Sequence, residues 1–221
     1  MLPKQLRRLG AILLGLCLLT VSIVPVSAKE GESAKKIALT FDDGPSAEYT
    51  GQILDILQKY NVKATFFVIG VNAEKHPELL KRIIAEGHEI GNHTYSHPHL
   101  QKMDAPTLAD ELMRADDLLQ KLAGISPTLF RPPEGVVSPA VKTAAEQGGY
   151  RLVLWTIDTR DWALNSTDNI IRLIDKQASD GDVVLFHDWI AGKSPTPAAL
   201  DVIIPMLQRR GFKFVKASEL N

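Results

Sequence analysis

Three groups of residues in this 221-residue chain have the types and spacings that hydrolytic chemistry needs. Asp42 and Asp43 are adjacent, His93 and His97 lie four apart, and His187 with Asp188 comes late in the chain. Two imidazoles and one carboxylate, with positions left for water and substrate, are a common catalytic zinc shell. Asp43, His93 and His97 are therefore the candidate ligands of one divalent ion. Zn²⁺ is the expected ion, with Co²⁺ or Ni²⁺ as alternatives. A closed structural site would usually use cysteine, and the single cysteine, Cys17, sits in an apolar N-terminal run. The competing reading is a hydrogen-bonded polar rim that binds no metal.

Adjacent carboxylates repel each other at close range. An ion on Asp43 removes that penalty and leaves Asp42 free to act as general base on a water that the ion activates. Cleaving an amide or ester also needs a proton donor for the leaving group. His187 is the candidate, with Asp161 or Asp158 to hold its tautomer and raise its pKa. Arg131, fixed by Pro132 and Pro133, can orient a carboxylate, and Asp42 is the expected partner. The plainer readings are an Asx turn before Gly44-Pro45 and a structural salt bridge at Arg131.

These residues are far apart in sequence, so the elements between them must bring them together. Short runs rich in β-branched and aromatic residues predict strands at 37–41, 64–69, 89–92, 129–131, 152–157, 183–186 and 212–215. Between them, Ile53, Leu54, Leu57 and Tyr60 share one helical face, as do Leu79, Leu80, Ile83 and Ile84. Leu108, Leu112, Leu119 and Leu122 form a longer stripe, opened by Thr107 with Asp110 three residues on. Further helices are predicted over 138–147, 167–178 and 197–209. Regular alternation of strand and helix implies an α/β fold with parallel strands and helices outside. About seven such units without a glycine-rich phosphate loop predict a closed or nearly closed barrel, and they give no support for nucleotide chemistry. In such a barrel the reactive groups stand at the carboxyl ends of the strands. Asp42, Asp43, His93, His97, Arg131, Asp158, Asp161, His187 and Asp188 all fall on that one rim.

The first 28 residues have a different character. Lys4, Arg7 and Arg8 precede an apolar run from Leu9 to Val24, Pro25 breaks it, and Val26-Ser27-Ala28 offers small residues for cleavage. This is the layout of a secretory signal peptide, with an uncleaved membrane anchor as the alternative. Residues 29–36 read as a short tether and 37–217 as the catalytic domain. Removing the leader leaves 22 basic against 26 acidic residues, since three of the 25 basic residues lie within it. A net charge of −4 without a basic run excludes a nucleic-acid partner held by phosphate neutralisation. The protein is expected outside the cell or at the cell wall, as a monomer.

Five ordered strings carry a family resemblance: Thr40-Phe41-Asp42-Asp43-Gly44, His93-Thr94-Tyr95-Ser96-His97, Arg131-Pro132-Pro133-Glu134-Gly135, Asp158-Thr159-Arg160-Asp161-Trp162 and Leu185-Phe186-His187-Asp188. Together they resemble the polysaccharide deacetylases, the NodB-homology domain of carbohydrate esterase family four. The resemblance implies a distorted (β/α) barrel and a divalent metal, usually zinc, on Asp43, His93 and His97. By the same likeness Asp42 is the catalytic base, His187 the acid, Asp161 its tuning partner and Arg131 the residue that orients the base. Leu185 and Trp162 would line the pocket for the acetyl methyl, with Pro133 and Glu134 in its wall. A backbone N–H of the Arg-Pro-Pro string would help to stabilise the oxyanion. Glu134 stands where the family usually has an aromatic, so an anion replaces a stacking surface. The implied activity is hydrolysis of N-acetyl groups on an N-acetylglucosamine-containing polysaccharide, of peptidoglycan or chitin type. An O-acetyl xylan esterase and a catalytically silent sugar-binding module are the alternatives. His76, His88 and His99 match no string, Trp155 reads as core, and Trp189 as a flank of the groove.

Overall fold

A computed structural model of the protein describes residues 34–163 and 165–220. The expected leader over residues 1–28, Cys17 and most of the tether lie outside the described residues. Among those described, no helix is long and apolar enough to cross a membrane.

Eight parallel strands form one curled sheet: β1 (Lys35–Asp42), β2 (Thr65–Val68), β3 (Glu89–Asn92), β4 (Leu129–Phe130), β5 (Arg151–Leu152), β6 (Ile157–Asp158), β7 (Asp182–His187) and β8 (Phe212–Phe214). The order is β5-β4-β3-β2-β1-β7-β6, with β8 paired to the start of β1. Seven helices accompany it: α1 (Thr50–Lys59), α2 (Gly70–Lys75), α3 (Pro77–Ala85), α4 (Ala105–Ala123), α5 (Pro139–Gln147), α6 (Thr167–Gln177) and α7 (Thr196–Arg209). The α/β barrel architecture predicted from the alternation of elements is present, in distorted form. β1 is the central strand and is buried from Ile37 to Asp42, as expected of a parallel strand covered on both faces.

Side chains alternate along these strands. Leu39, Phe41 and Phe66 point outward into the main core, where they meet Ile53, Leu57, Ile170, Ile203 and Leu207 of the helices. Each such fully buried Leu or Ile contributes about 1.5–3 kcal/mol. Thr40, Asp42 and Phe67 take the opposite face and meet Arg131, whose guanidinium lies 4.1 Å from the Phe67 ring centroid.

The predicted strand over 152–157 is two strands. β5 pairs with β4 at one edge of the sheet and β6 pairs with β7 at the other, so residues 153–156 must cross between the edges. Arg131 spans this seam. Its Nε donates to the carbonyl of Val153 (3.1 Å) and Nη2 to that of Leu154 (2.9 Å), while Nη1 reaches Thr40 Oγ1 (2.8 Å) on β1. Two other boundaries move. β1 begins at Lys35, two residues before the predicted strand, because β8 lengthens its ladder. α4 is capped by Asp104, which accepts from the Thr107 N–H at 2.9 Å, so Thr107 lies inside the helix and not at its cap. α2 was not predicted: six residues are too few for a periodic pattern.

The register positions the rim. Asp42 stands opposite both Phe67 of β2 and His187 of β7, Val68 opposite Asn92, and Asn92 opposite Phe130. β1 and β7 end level, β2, β3 and β4 run one residue further, and the residues that follow, Asp43, His93 and Arg131, emerge within one residue of a common height.

Candidate active site

A cleft of about 570 Å³ opens at the carboxyl ends of the strands, lined by Asp42, Asp43, His93, His97, Glu134, Trp155, Asp158, Trp162, Leu185 and His187. Its metal side is built by the loops after β1 and β3. Asp43 leaves β1 with φ of +76°, which turns its carboxylate towards the histidine loop. Gly44 follows because a Cβ there would overlap the Asp188 carboxylate. On the β3 side, Asn92 Oδ1 accepts from the Thr94 N–H (2.7 Å), and Thr94 Oγ1 accepts from the His97 N–H (3.1 Å). The Asn92 amide donates to the Leu112 carbonyl and to Asp116, and the Tyr150 hydroxyl donates to Asp116 as well. The loop is thus tied to α4.

One oxygen of Asp43, Oδ1, lies 3.3 Å from His93 Nε2 and 3.4 Å from His97 Nε2. Ligand atoms of all three residues fall within 4.8 Å of one another. His93 Nδ1 is 2.6 Å from the Arg131 carbonyl, which can only accept, so the proton sits on Nδ1 and the Nε2 lone pair faces Asp43. Asp43 Oδ1 is buried and has no hydrogen-bond partner among the described residues. A buried oxygen without a partner, beside imidazole nitrogens, fits a divalent cation. Burial raises the Asp43 carboxyl, but with no cation bound the charge of the neighbouring imidazoles, His93 first and then His187 and His97, outweighs it and holds the group below its ordinary value.

The opposite side is built differently. Asp42, 3% exposed, accepts from Arg131 Nη1 at 2.7 Å, and its Oδ2 lies 3.7 Å from His93 Nε2. Asp161 is fully buried and takes four donors: His187 Nδ1 (2.8 Å) and the Trp162 N–H (3.0 Å) on Oδ1, the His187 N–H (2.8 Å) and Thr196 Oγ1 (2.6 Å) on Oδ2. His187 therefore presents Nε2 to the cleft. Burial lowers the His187 imidazole, yet the hydrogen bond and charge of Asp161, with Asp42 and Asp43, carry it up to about 9.

Several residues sit elsewhere than expected. Asp158 lines the cleft and binds the Arg160 N–H (2.8 Å) rather than His187. Asp188 is nested below the rim, where Gly44 N–H and Thr50 Oγ1 donate to it and burial pushes it up to about 7. Pro133 is buried and is not among the residues lining the cleft. Trp155, read as core, is half-buried in the cleft wall, because it lies on the crossing segment. Thr40 and Thr196 complete the two buried pairs; Thr40 opens the first of the five strings without a role of its own, and no sequence signal marks Thr196. His88 accepts from the Ala64 N–H (3.1 Å), and burial lowers it to about 4, a structural role. His99 contacts Glu134 (2.7 Å) at the mouth.

Residues 29–153 match the family model for polysaccharide deacetylase. The chain belongs to the polysaccharide deacetylase family. Relatives named as deacetylases are hydrolases of carbon–nitrogen bonds other than peptide bonds, and this chain is an enzyme of that class. The family match ends before Asp161 and His187, which belong to the fourth and fifth strings and meet at 2.8 Å in the cleft. Among relatives of this deacetylase, the peptidoglycan-N-acetylglucosamine deacetylase of Bacillus cereus is 43% identical over 84% of this chain and 88% of its own. The peptidoglycan-N-acetylglucosamine deacetylase PgdA of Listeria monocytogenes is 37% identical over 86% of this chain but only 40% of its own length. Among solved structures, a family 4 acetyl xylan esterase from Clostridium thermocellum, in complex with a cobalt ion, superposes with a TM-score of 0.79 at 36% identity, covering 84% of this chain and 90% of that one.

Proposed function

We propose that this deacetylase is an exported, metal-dependent enzyme that removes N-acetyl groups from an N-acetylglucosamine-containing cell-wall or chitin-type polymer, releasing acetate. One observation carries the reading. A three-ligand cation site with an unpaired carboxylate oxygen shares its cleft with two oriented acid–base pairs, Asp42–Arg131 and His187–Asp161. The likeness to relatives named for peptidoglycan supports the substrate class, and the signal-like segment over residues 1–28 supports export. The catalytic domain is taken as residues 37–217.

Asp43, His93 and His97 would hold the cation. When bound, Zn²⁺ or a similar ion polarises the acyl carbonyl and lowers the pKa of the attacking water. Asp42 takes the proton from that water at Oδ2 while Arg131 fixes Oδ1. As the new carbon–oxygen bond forms, negative charge gathers on the acyl oxygen. Pro132 and Pro133 have no N–H, and the N–H groups of Arg131 and Gly135 are bonded to the Asn92 and Pro132 carbonyls. The Glu134 N–H is therefore the donor of this string that remains for the oxyanion. His187 Nε2 then donates its proton to the sugar nitrogen as the carbon–nitrogen bond breaks, and Asp161 stabilises the imidazolium beforehand. Acetate and a sugar amine leave. Leu185 and Trp162 would receive the acetyl methyl, with Glu134 at the mouth.

Acetate release tests this, measured on N-acetylglucosamine oligomers, peptidoglycan and acetylated xylan, with chelator and with added zinc or cobalt. Release from the first two that chelator stops and metal restores is the expected result. Release from xylan alone would make the protein an O-acetyl esterase, the second reading, which the likeness to the acetyl xylan esterase supports. Binding without turnover under every metal would leave a sugar-binding module.

A further inference from the structure

Four carboxylates line the cleft, from Asp42, Asp43, Glu134 and Asp158, and no Lys or Arg side chain does. Three of them are engaged or assigned. Asp42 is paired with Arg131, Asp43 faces the two ligand histidines, and Asp158 turns back to its own loop amide at Arg160. Glu134 is the exception. Its backbone sits at φ +57°, a left-handed conformation that disfavours a side chain by about 1–2 kcal/mol and holds the residue at the cleft mouth. Its side chain is 43% exposed, and among the described residues its only salt-bridge contact is the ring of His99. His99 Nδ1 holds one oxygen of that carboxylate, and no Lys or Arg pairs with it among the described residues.

The reaction itself generates a cation of the right kind. On the deacetylase reading, on which this inference rests, each turnover breaks one amide carbon–nitrogen bond, releases acetate and leaves an ammonium on the sugar. An acetylated neighbour is neutral, whereas a deacetylated neighbour is positively charged. We propose that Glu134 is a specificity residue that pairs with the ammonium of an already deacetylated sugar flanking the one being hydrolysed, so that the enzyme favours partly deacetylated polymer. Trp155 and Trp162, which line the same cleft, supply apolar surface for the sugar ring, and the carboxylate reads its nitrogen.

The test compares kcat/KM, at neutral pH and with zinc present, on two oligomers of equal length. One is fully N-acetylated and the other carries one free amine beside an acetylated unit, at either flank. The wild-type protein should prefer the charged oligomer by roughly three-fold, the scale of a partly exposed ion pair, chiefly through KM. The preference should shrink as salt shortens the Debye length to about 8 Å and below. In Glu134→Gln it should fall to one, and Glu134→Asp should restore part of it. A wild-type ratio of one, or a ratio that neither salt nor Glu134→Gln alters, overturns the inference while the deacetylase reading stands. If Glu134→Gln does not fold, the wild-type salt series, together with competitive inhibition by glucosamine oligomer, decides alone. Absence of acetate release from both oligomers with metal bound overturns the deacetylase reading and this inference with it.

Discussion

The two halves of the cleft are satisfied to different degrees. On the side of Arg131, Asp161 and His187, the buried groups are paired: Arg131 reaches four acceptors and Asp161 takes four donors. On the side of Asp43, His93 and His97, a buried carboxylate oxygen has no partner among the described residues, and Asp43, Thr94 and His97 account for three of the five positive-φ positions of the rim. Buried polar groups are normally paired, and backbone strain persists only where the surroundings impose it. The paired half reads as the protein's own machinery, complete as folded. The unpaired half reads as a receptor for something the chain does not encode. Removing a group should therefore affect the two halves in opposite ways: function without stability on one, stability and function together on the other.

The largest effect should come from the open half. Asp43→Asn keeps a residue that tolerates positive φ and removes the charge that a cation needs. Elemental analysis should find the bound ion lost and turnover at background. The metal-free protein should unfold within about 1 kcal/mol of the wild type, because no hydrogen bond to Oδ1 is broken. A large stability loss in the metal-free variant would break the comparison. Next is Asp42→Asn, at the boundary between the halves. It should keep the ion and lose about 10²–10⁴ in turnover, the usual contribution of a general base. Full activity in this variant would remove Asp42 from the reaction.

On the paired half, Arg131→Met should cost about 3–5 kcal/mol in urea unfolding, since it leaves Asp42 as a buried charge without its partner. It also frees the carbonyls of Val153 and Leu154, so the segment that closes the barrel loses its clasp. Adding Asp42→Asn to that variant should recover part of the loss, because the stranded charge disappears. Equal stability of single and double variants would mean that the carbonyl contacts, and not the ion pair, dominate.

The alternation of strand and helix was legible because periodicity reports burial, and burial decides those elements. So was the convergence of acidic and basic residues on one rim, since parallel strands that end within a residue of one another place their following residues near one height. The seam was not legible: Leu152 to Ile157 is apolar enough for a strand, and only the sheet order shows that its ends belong to opposite edges. For the same reason Trp155 read as core. Thr196 opens α7 thirty-five residues after Asp161, and its bond to that carboxylate is a product of the fold. Backbone conformation was hidden as well. Of the six non-glycine residues with positive φ among those described, Asp43, Thr94, His97, Glu134 and Arg160 belong to the rim loops, and Asn61 alone lies elsewhere, just beyond α1. Residue type does not announce such strain in Thr, Glu or Arg, whereas His, like Asp and Asn, adopts positive φ more readily.

The finest test of the comparison is the alkaline limb of the rate profile. His187 is held up to about 9 from an ordinary 6.5. Burial works against that rise, while the hydrogen bond and charge of Asp161, followed by the charges of Asp42 and Asp43, produce it. A raised imidazole keeps its proton as pH climbs, so the acid form persists through neutrality, and turnover should fall only as pH approaches about 9. A cation on Asp43 cancels that residue's share, so the limb in the loaded enzyme should lie somewhat lower. The linked stability has the same sign: it is complete below the unfolded value near 6.5 and is lost as pH rises through about 9. Asp161→Asn removes the leading favourable contribution while keeping the shape of the side chain. Its kcat profile should turn down at a pH closer to 6.5, with the bound ion retained, since Asp161 touches none of the three candidate ligands. A limb that stays in place would show that proton donation to the leaving nitrogen comes from a group other than His187, and the paired half would then be scaffold and not machinery.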